Sequence, residues 1–168
     1  MLSCLFCQNG WNVRVMQICK INRDKLRPAL DLVWEVFERY DKPDYEEMGV
    51  KTFRHFIEYH NMVEKVDQGE MKFWGCYVSN LLVGVIALRT GQHISLLFVR
   101  DKFHHLGIAK RLVRVAVSSV IAEEPKIRAV TVNSSPYAVD FYKKVGFVPQ
   151  GEEKQAEGIR FTTMRLEF

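Results

Sequence analysis

The chain has 168 residues, with 24 Lys and Arg against 20 Asp and Glu; the resulting +4 is too mild and too scattered for a nucleic-acid surface. An apolar fraction of 48% with 26% charged residues describes a globular chain able to bury a substantial core. No apolar run approaches the length of a membrane span, so no membrane partner is expected.

Met1 to Gly10 is apolar, lacks a basic start and is too short for a signal peptide. It is read as a loose leader, 1–10, ahead of a single domain over 11–168. Cys4 and Cys7 have zinc or redox spacing, but no second Cys/His pair accompanies them, and no metal is expected. With Cys19 and Cys76 they are read as reduced thiols of a cytoplasmic protein. Trp11 to Cys19 alternates as a first strand, with Val13, Val15 and Cys19 on one face. A helix follows from about Asp24, where Pro28 still falls near the first turn, with Leu26, Leu30, Val33, Trp34, Phe37 and Tyr40 at helical spacing. Asp41 to Asp44 is a turn by composition. A second helix is predicted from Glu46 to about Tyr59, with Phe53, Phe56 and Ile57 inward and Gly49 weakening its start. Asn61 to Glu70 is polar and is predicted to be a loop.

Three strand candidates come next: Met71 to Val78, Leu81 to Leu88 after a Ser79-Asn80 hairpin turn, and Ile94 to Val99. A polar connector, Arg100 to Leu106, enters an amphipathic helix at Gly107 that buries Ile108, Leu112, Val115, Ala116 and Val120 and stops at Glu123-Glu124-Pro125. Ala129 to Val132 is a short buried strand. Ser135 and Pro136 are the predicted N-cap and first residue of a helix Tyr137 to Val145, ended by Gly146. Phe147 and Val148 allow a brief strand, and Gly158 to Phe168 supplies the last. An antiparallel meander that feeds a strand–helix–strand unit implies an α/β fold, with a mixed sheet and helices on both faces.

The strand, Gly-bearing turn and helix start around Gly107 make an anion site. First-turn N–H groups lack partners inside the helix, the helix dipole adds positive charge, and small residues admit a ligand to the backbone. Of the basic residues there, Lys110 is the one well placed for a phosphate. His104-His105-Leu106-Gly107-Ile108-Ala109 resembles the Arg/Gln-x-x-Gly-x-Gly/Ala signature of the GNAT (Gcn5-related) N-acetyltransferases, with His104 where Arg or Gln is usual. Asn133 to Phe147 resembles the family's Asn-x-x-Ala-x-x-Phe-Tyr-x-x-x-Gly-Phe motif almost throughout. The element order from Trp11 to Phe168 also matches that family, whose sheet is mostly antiparallel with a parallel splay between its fourth and fifth strands.

The resemblance implies an acetyl-CoA-dependent N-acetyltransferase that moves an acetyl group to a primary amine of a small molecule or protein, with both substrates bound together. It implies cofactor contacts at Leu106, Gly107, Ile108, Ala109 and Lys110 for the pyrophosphate, a single hydrogen bond from His104, and main-chain pairing along Leu97, Phe98 and Val99. A backbone N–H near Phe98 would face the thioester oxygen, and Asn133 would bond the cofactor arm. Tyr142 is expected at the margin of its helix, with Ala138, Phe141 and Val145 inward, as the acid that protonates the leaving thiolate; the bland reading is a core-edge tyrosine. Many relatives carry a Glu early in the fourth strand. Here Ser95 stands there, able at most to hold a relaying water, and His93 is a candidate direct base. Glu35 and Glu46 are further candidates on the acceptor side. Tyr40 to Glu47 groups four carboxylates with two aromatics. Tyr40, Asp44 and Glu46 would then suit a cationic acceptor, although the same acids suit a solvated turn before a helix. Two alternatives stay open: a CoA-binding sensor without turnover, and acetylation of aminoacyl-tRNA, which the modest charge disfavours. A homodimer is left open.

Overall fold

The computed structural model describes residues 16–90 and 92–168. The leader, Cys4 and Cys7, and the predicted strand residues Trp11 to Val15 lie outside the described residues.

Within them the first strand is β1 (Met16–Ile21). Cys19, predicted inward, is exposed, and Ile21 is the buried residue of this strand. Helix α1 (Arg23–Tyr40) carries Pro28 in its second turn, one turn later than anticipated, and buries a stripe from Leu26 to Phe37. After a 3-10 turn at Lys42–Asp44 the predicted second helix divides into α2 (Glu47–Phe56) and α3 (Tyr59–Asp67). The predicted loop from Asn61 is therefore helical through Asp67. Its apolar residues Tyr59, Met62, Val63 and Val66 follow a helical stripe, and Met62 and Val63 are buried by it.

Strands β2 (Met71–Val78) and β3 (Leu81–Arg89) form a hairpin over Ser79 and Asn80, both at positive φ (+49° and +66°), as a two-residue turn of the type that matches strand twist requires. Then follow β4 (His93–Val99), α4 (Ile108–Glu123), β5 (Ala129–Ser134), α5 (Val139–Lys144), β6 (Val148–Pro149), β7 (Lys154–Ala156) and β8 (Ile159–Glu167). Val113 joins the buried face of α4, while Val115 is only partly covered. Ser135 makes no side-chain cap, because a 3-10 turn at Pro136–Ala138 separates it from α5. The β7 hairpin arm was not anticipated; all three of its residues are exposed, so no apolar alternation marks it.

Among the described residues the sheet runs β1-β2-β3-β4-β5-β8-β6, with β7 pairing onto β8. Neighbouring strands are antiparallel except β4 and β5, which are parallel and pair only at His93 with Thr131 and Ile94 with Val132. Beyond Ile94 they part. One face of the sheet packs on α4 and α5 through Ile108, Leu112, Ala116 and Tyr142. The other packs on α1 to α3 through Leu30, Val33, Ile57 and Met62. Gly49 in α2 lies against the turn before β8: a Cβ there would stand 2.4 Å from the Gly158 carbonyl oxygen. Its glycine is thus required by close approach, a reason beyond the weak helix propensity read from the sequence. None of the described helices is long and apolar enough to cross a membrane.

Candidate active site

The parting of β4 from β5 opens a cavity of about 540 Å³ between the two strands, the end of α1 and the start of α4. Its floor is set by a bulge. Ala87 pairs with Leu96 but Leu88 pairs with Ile94, so Ser95 is the extra residue on β4, and it lines the cavity. Past the bulge the register settles which backbone groups are free. The Arg100 N–H donates to the Val83 carbonyl at 2.8 Å, so by two-residue alternation Phe98 and Leu96 also bond toward β3. The main-chain groups of Leu97 and Val99, the two neighbours of Phe98, face the open edge. Phe98 itself contributes its ring to the wall.

At one end of this edge stands the start of α4. Gly107 has φ +75°, a left-handed conformation that L side chains disfavour, and a Cβ built on it would meet nothing within 4 Å. The first helical bond is Arg111 N–H to the Gly107 carbonyl, so the N–H groups of Ile108, Ala109 and Lys110 have no partner within the helix. All four of these residues line the cavity; Leu106, expected with them, does not and is 52% exposed. His104 lines the cavity with its ring committed elsewhere. Its Nε2 lies 2.7 Å from the Val99 carbonyl and the ring tilts against Tyr40. A carbonyl only accepts, so Nε2 carries the hydrogen, and in the neutral ring Nδ1 is then an acceptor with nothing to give a phosphate. The hydrogen bond anticipated from His104 to phosphate is spent on β4.

Tyr142 departs from expectation as well. It is the buried residue of α5, 4% exposed, while Ala138, Phe141 and Val145 are only partly covered. Phe141 and Phe147 hold its ring edge-on. It lines the cavity. Burial first, and then the nearby Asp41 carboxylate, raise its pKa well above the ordinary phenol range. Asn133 lines the cavity with its Oδ1 accepting from Thr163 Oγ1 at 3.0 Å, which leaves its Nδ2 hydrogens to donate.

The other candidates lie apart. His93 is at the far end of β4, outside the cavity lining, with Nδ1 at 2.9 Å from Thr131 Oγ1. Burial, with Arg89 nearby, holds its pKa below the usual imidazole value. Glu35 is paired with Arg100, and Glu46 accepts from Gln155 Nε2 at 2.6 Å, so both carboxylates serve the surface. Asp44 does not line the cavity either. Tyr40 does; its hydroxyl donates to Asp101 and its ring packs on Tyr137. The residues that sequence reasoning missed are Asp41, Tyr45, Phe53 and Tyr137, which complete the wall on the α1 side. The acidic, aromatic composition of Tyr40 to Glu47 was the available signal; which of its acids points inward was not.

The sequence profile of the acetyltransferase (GNAT) domain matches residues 41–168. The chain belongs to the GNAT family. No curated protein sequence matches this GNAT chain. Solved structures share its fold. A GCN5-related N-acetyltransferase from Rhodopseudomonas palustris aligns with TM-score 0.77 at 16% identity, covering 95% of this chain and 100% of that one. A PaiA N-acetyltransferase from Thermoplasma acidophilum in complex with coenzyme A gives 0.75 at 17% identity, with coverage of 92% and 99%. A spermidine N-acetyltransferase chimera from Vibrio cholerae gives 0.64 at 14%, with coverage of 90% and 95%. The anticipated GNAT sheet, with its parallel splay between the fourth and fifth strands, is the one observed.

Proposed function

We infer that the protein is an acetyl-CoA-dependent N-acetyltransferase that acts on a primary amine by direct transfer, with both substrates bound at once. The observation that carries this reading is the cavity that joins the open β4 edge, the start of α4 and Tyr142. The residues fit the cofactor: space at Gly107 where a Cβ would meet nothing, donors at Ile108, Ala109 and Lys110, and a main-chain edge with both groups of Leu97 and the N–H of Val99 facing the cavity. The coenzyme A complex of the Thermoplasma neighbour supports the same ligand class.

Acetyl-CoA, when bound, supplies the acetyl group as an activated thioester. The chain's own groups do the rest. The α4 N–H groups and Lys110 hold negative charge at the helix dipole's positive end. Leu97 offers both main-chain groups and Val99 its N–H to an extended arm, and one of these donors serves to polarise a carbonyl. Asn133 Nδ2 can donate to the same arm. Tyr142 keeps its proton across the physiological range and can give it to a departing thiolate, while Ser95 can hold a water in the bulge.

The test is thiol release from acetyl-CoA against a panel of amines, run beside calorimetry with coenzyme A. Binding together with amine-dependent thiol release is the expected result. Coenzyme A binding with no release for any amine would replace the enzyme by a sensor, and no binding would end the reading altogether.

A further inference from the structure

Asp41 stands where a carboxylate is disfavoured three times over. It is the C-cap of α1, the end where the helix dipole is negative and cations are preferred. It is only 9% exposed. Among the described residues no lysine, arginine or histidine forms an ion pair with it. Buried charge without a partner is costly, and such groups concentrate where a ligand completes them. Asp41 lines the cavity, and no other Asp or Glu does.

The walls beside it are aromatic. Tyr45 meets Phe37 edge-on at 5.1 Å between ring centroids, and Phe53 stacks on Phe37 at 4.0 Å. Tyr137 lies against Tyr40, the residue before Asp41, at 5.0 Å between ring centroids. Tyr45, Phe53, Tyr137 and Tyr40 thus line the same cavity as Asp41, and aromatic faces attract cations as a carboxylate does. Lys110 lines the cavity at the α4 end, and His104 and His105 line it from the connector before that helix.

We propose that Asp41 is the anchor for the acceptor's ammonium group and the base that takes its first proton, and that the acceptor is therefore an amine that is cationic in solution. This rests on the transferase reading. At the step concerned, the ammonium N–H bond breaks, an O–H bond forms on Asp41, and the nitrogen regains the lone pair it needs for attack on the acetyl carbon. The titratable side chains around Asp41 come from four segments: Tyr40 on α1, Asp44 and Tyr45 in the following turn, His104 and His105 on the connector before α4, and Tyr137 and Tyr142 in and after the Pro136 turn. The Ser135 hydroxyl beside it favours the charged carboxylate. Burial raises the Asp41 pKa, Ser135 partly offsets this and Asp44 adds to it, which makes Asp41 a stronger base than an exposed carboxylate.

The experiment measures kcat/KM for tyramine, cadaverine and the acidic dipeptide glycylglutamate at saturating acetyl-CoA, from pH 6 to 10, in the parent and Asp41→Asn, with coenzyme A affinity by calorimetry. The parent should prefer the two cations. Asp41→Asn should lose about 100-fold at pH 7 and recover with rising pH as the free amine form grows, with coenzyme A affinity unchanged. A merely structural role for Asp41 would give no recovery at high pH. Parent-like kcat/KM and pH profile in Asp41→Asn would overturn the proposal. Should the variant not fold, parent selectivity decides: preference for glycylglutamate, or no turnover of either cation by a parent that binds coenzyme A, overturns the anchor and leaves cofactor binding standing. A parent that fails to bind coenzyme A overturns both.

Discussion

At Tyr142 the same burial that removes the ring from solvent also keeps the proton on the hydroxyl, because the phenolate would lose its hydration inside the fold. Such a group can act as an acid without becoming charged at rest. Tyr142→Phe keeps the ring and its contacts with Phe141 and Phe147, so the variant should fold and bind coenzyme A as the parent does. Its kcat should fall by about ten- to ten-thousand-fold with little change in KM for acetyl-CoA. Because the pKa is raised, the parent's kcat should show no descending limb from this group below about pH 10, the ordinary phenol value. An unchanged kcat in a variant whose chemical step is rate-limiting would remove Tyr142 from the reaction. Single residues were also the least legible level of the sequence. Ala138, Phe141 and Val145 suggested an inward stripe, but the short α5 starts after a 3-10 turn, and this rotates Tyr142 into the core. His104 sits in the expected motif while its ring turns back to the Val99 carbonyl, a tertiary contact with no mark in the local pattern. Asp41, at the end of a helix and before Lys-Pro-Asp, looks like any solvated turn residue until α5 and its preceding turn close over it.

Secondary-structure elements were far more legible, and their failures have one cause. Strands β2, β3 and β4 and helix α4 were bounded to within about a turn because each carries a long apolar period and clear turn residues at its ends. Helix α3 was read as a loop because polar residues dominate it, and one stripe of four apolar side chains suffices to dock it on α1 and β2. The start of α4 was legible for a firmer reason, since Gly107 combines a left-handed backbone with open space at the helix start. Two effects meet there and can be separated. Gly107→Val forces a branched residue into φ +75°, which should lower the melting temperature of the protein alone by a few degrees, for a strain of about 1–3 kcal/mol. It also fills the open side of the helix start, so the additional stabilisation given by coenzyme A should largely disappear. Differential scanning fluorimetry with and without coenzyme A reads both. A variant that is destabilised alone yet gains the parent's full shift with coenzyme A would mean that the cofactor does not approach Gly107.

On the scale of the whole molecule, the sheet has one weak seam. β1 to β4 form a continuous antiparallel unit and β5, β8 and β6 another, and the strands that join them pair at two positions only. The two cores on opposite faces do not compensate equally. The α4–α5 side reaches across the seam through Ile94, Val130 and Val132, whereas the α1–α3 side packs on the first unit and leaves the cavity open beneath it. A ligand laid along the free β4 edge would therefore act as the missing strand and tie the halves together. Coenzyme A at 100 times its Kd should stabilise the fold by about 2.7 kcal/mol, equivalent to roughly 5–10 °C in melting temperature for a chain of this size. The location of that gain is the sharper test. Backbone amide exchange should slow at Leu97 and Val99, whose N–H groups face the seam, while Leu96 and Phe98, already bonded toward β3, should be protected with or without the ligand. Amides of Ile108 to Lys110 should slow in parallel, since they sit at the same cavity's other end. Protection confined to the α4 amides would mean that coenzyme A is gripped by its phosphates alone, with the β4 edge left to the acceptor; an alternating pattern along β4 would show that the splay exists to receive an extended chain.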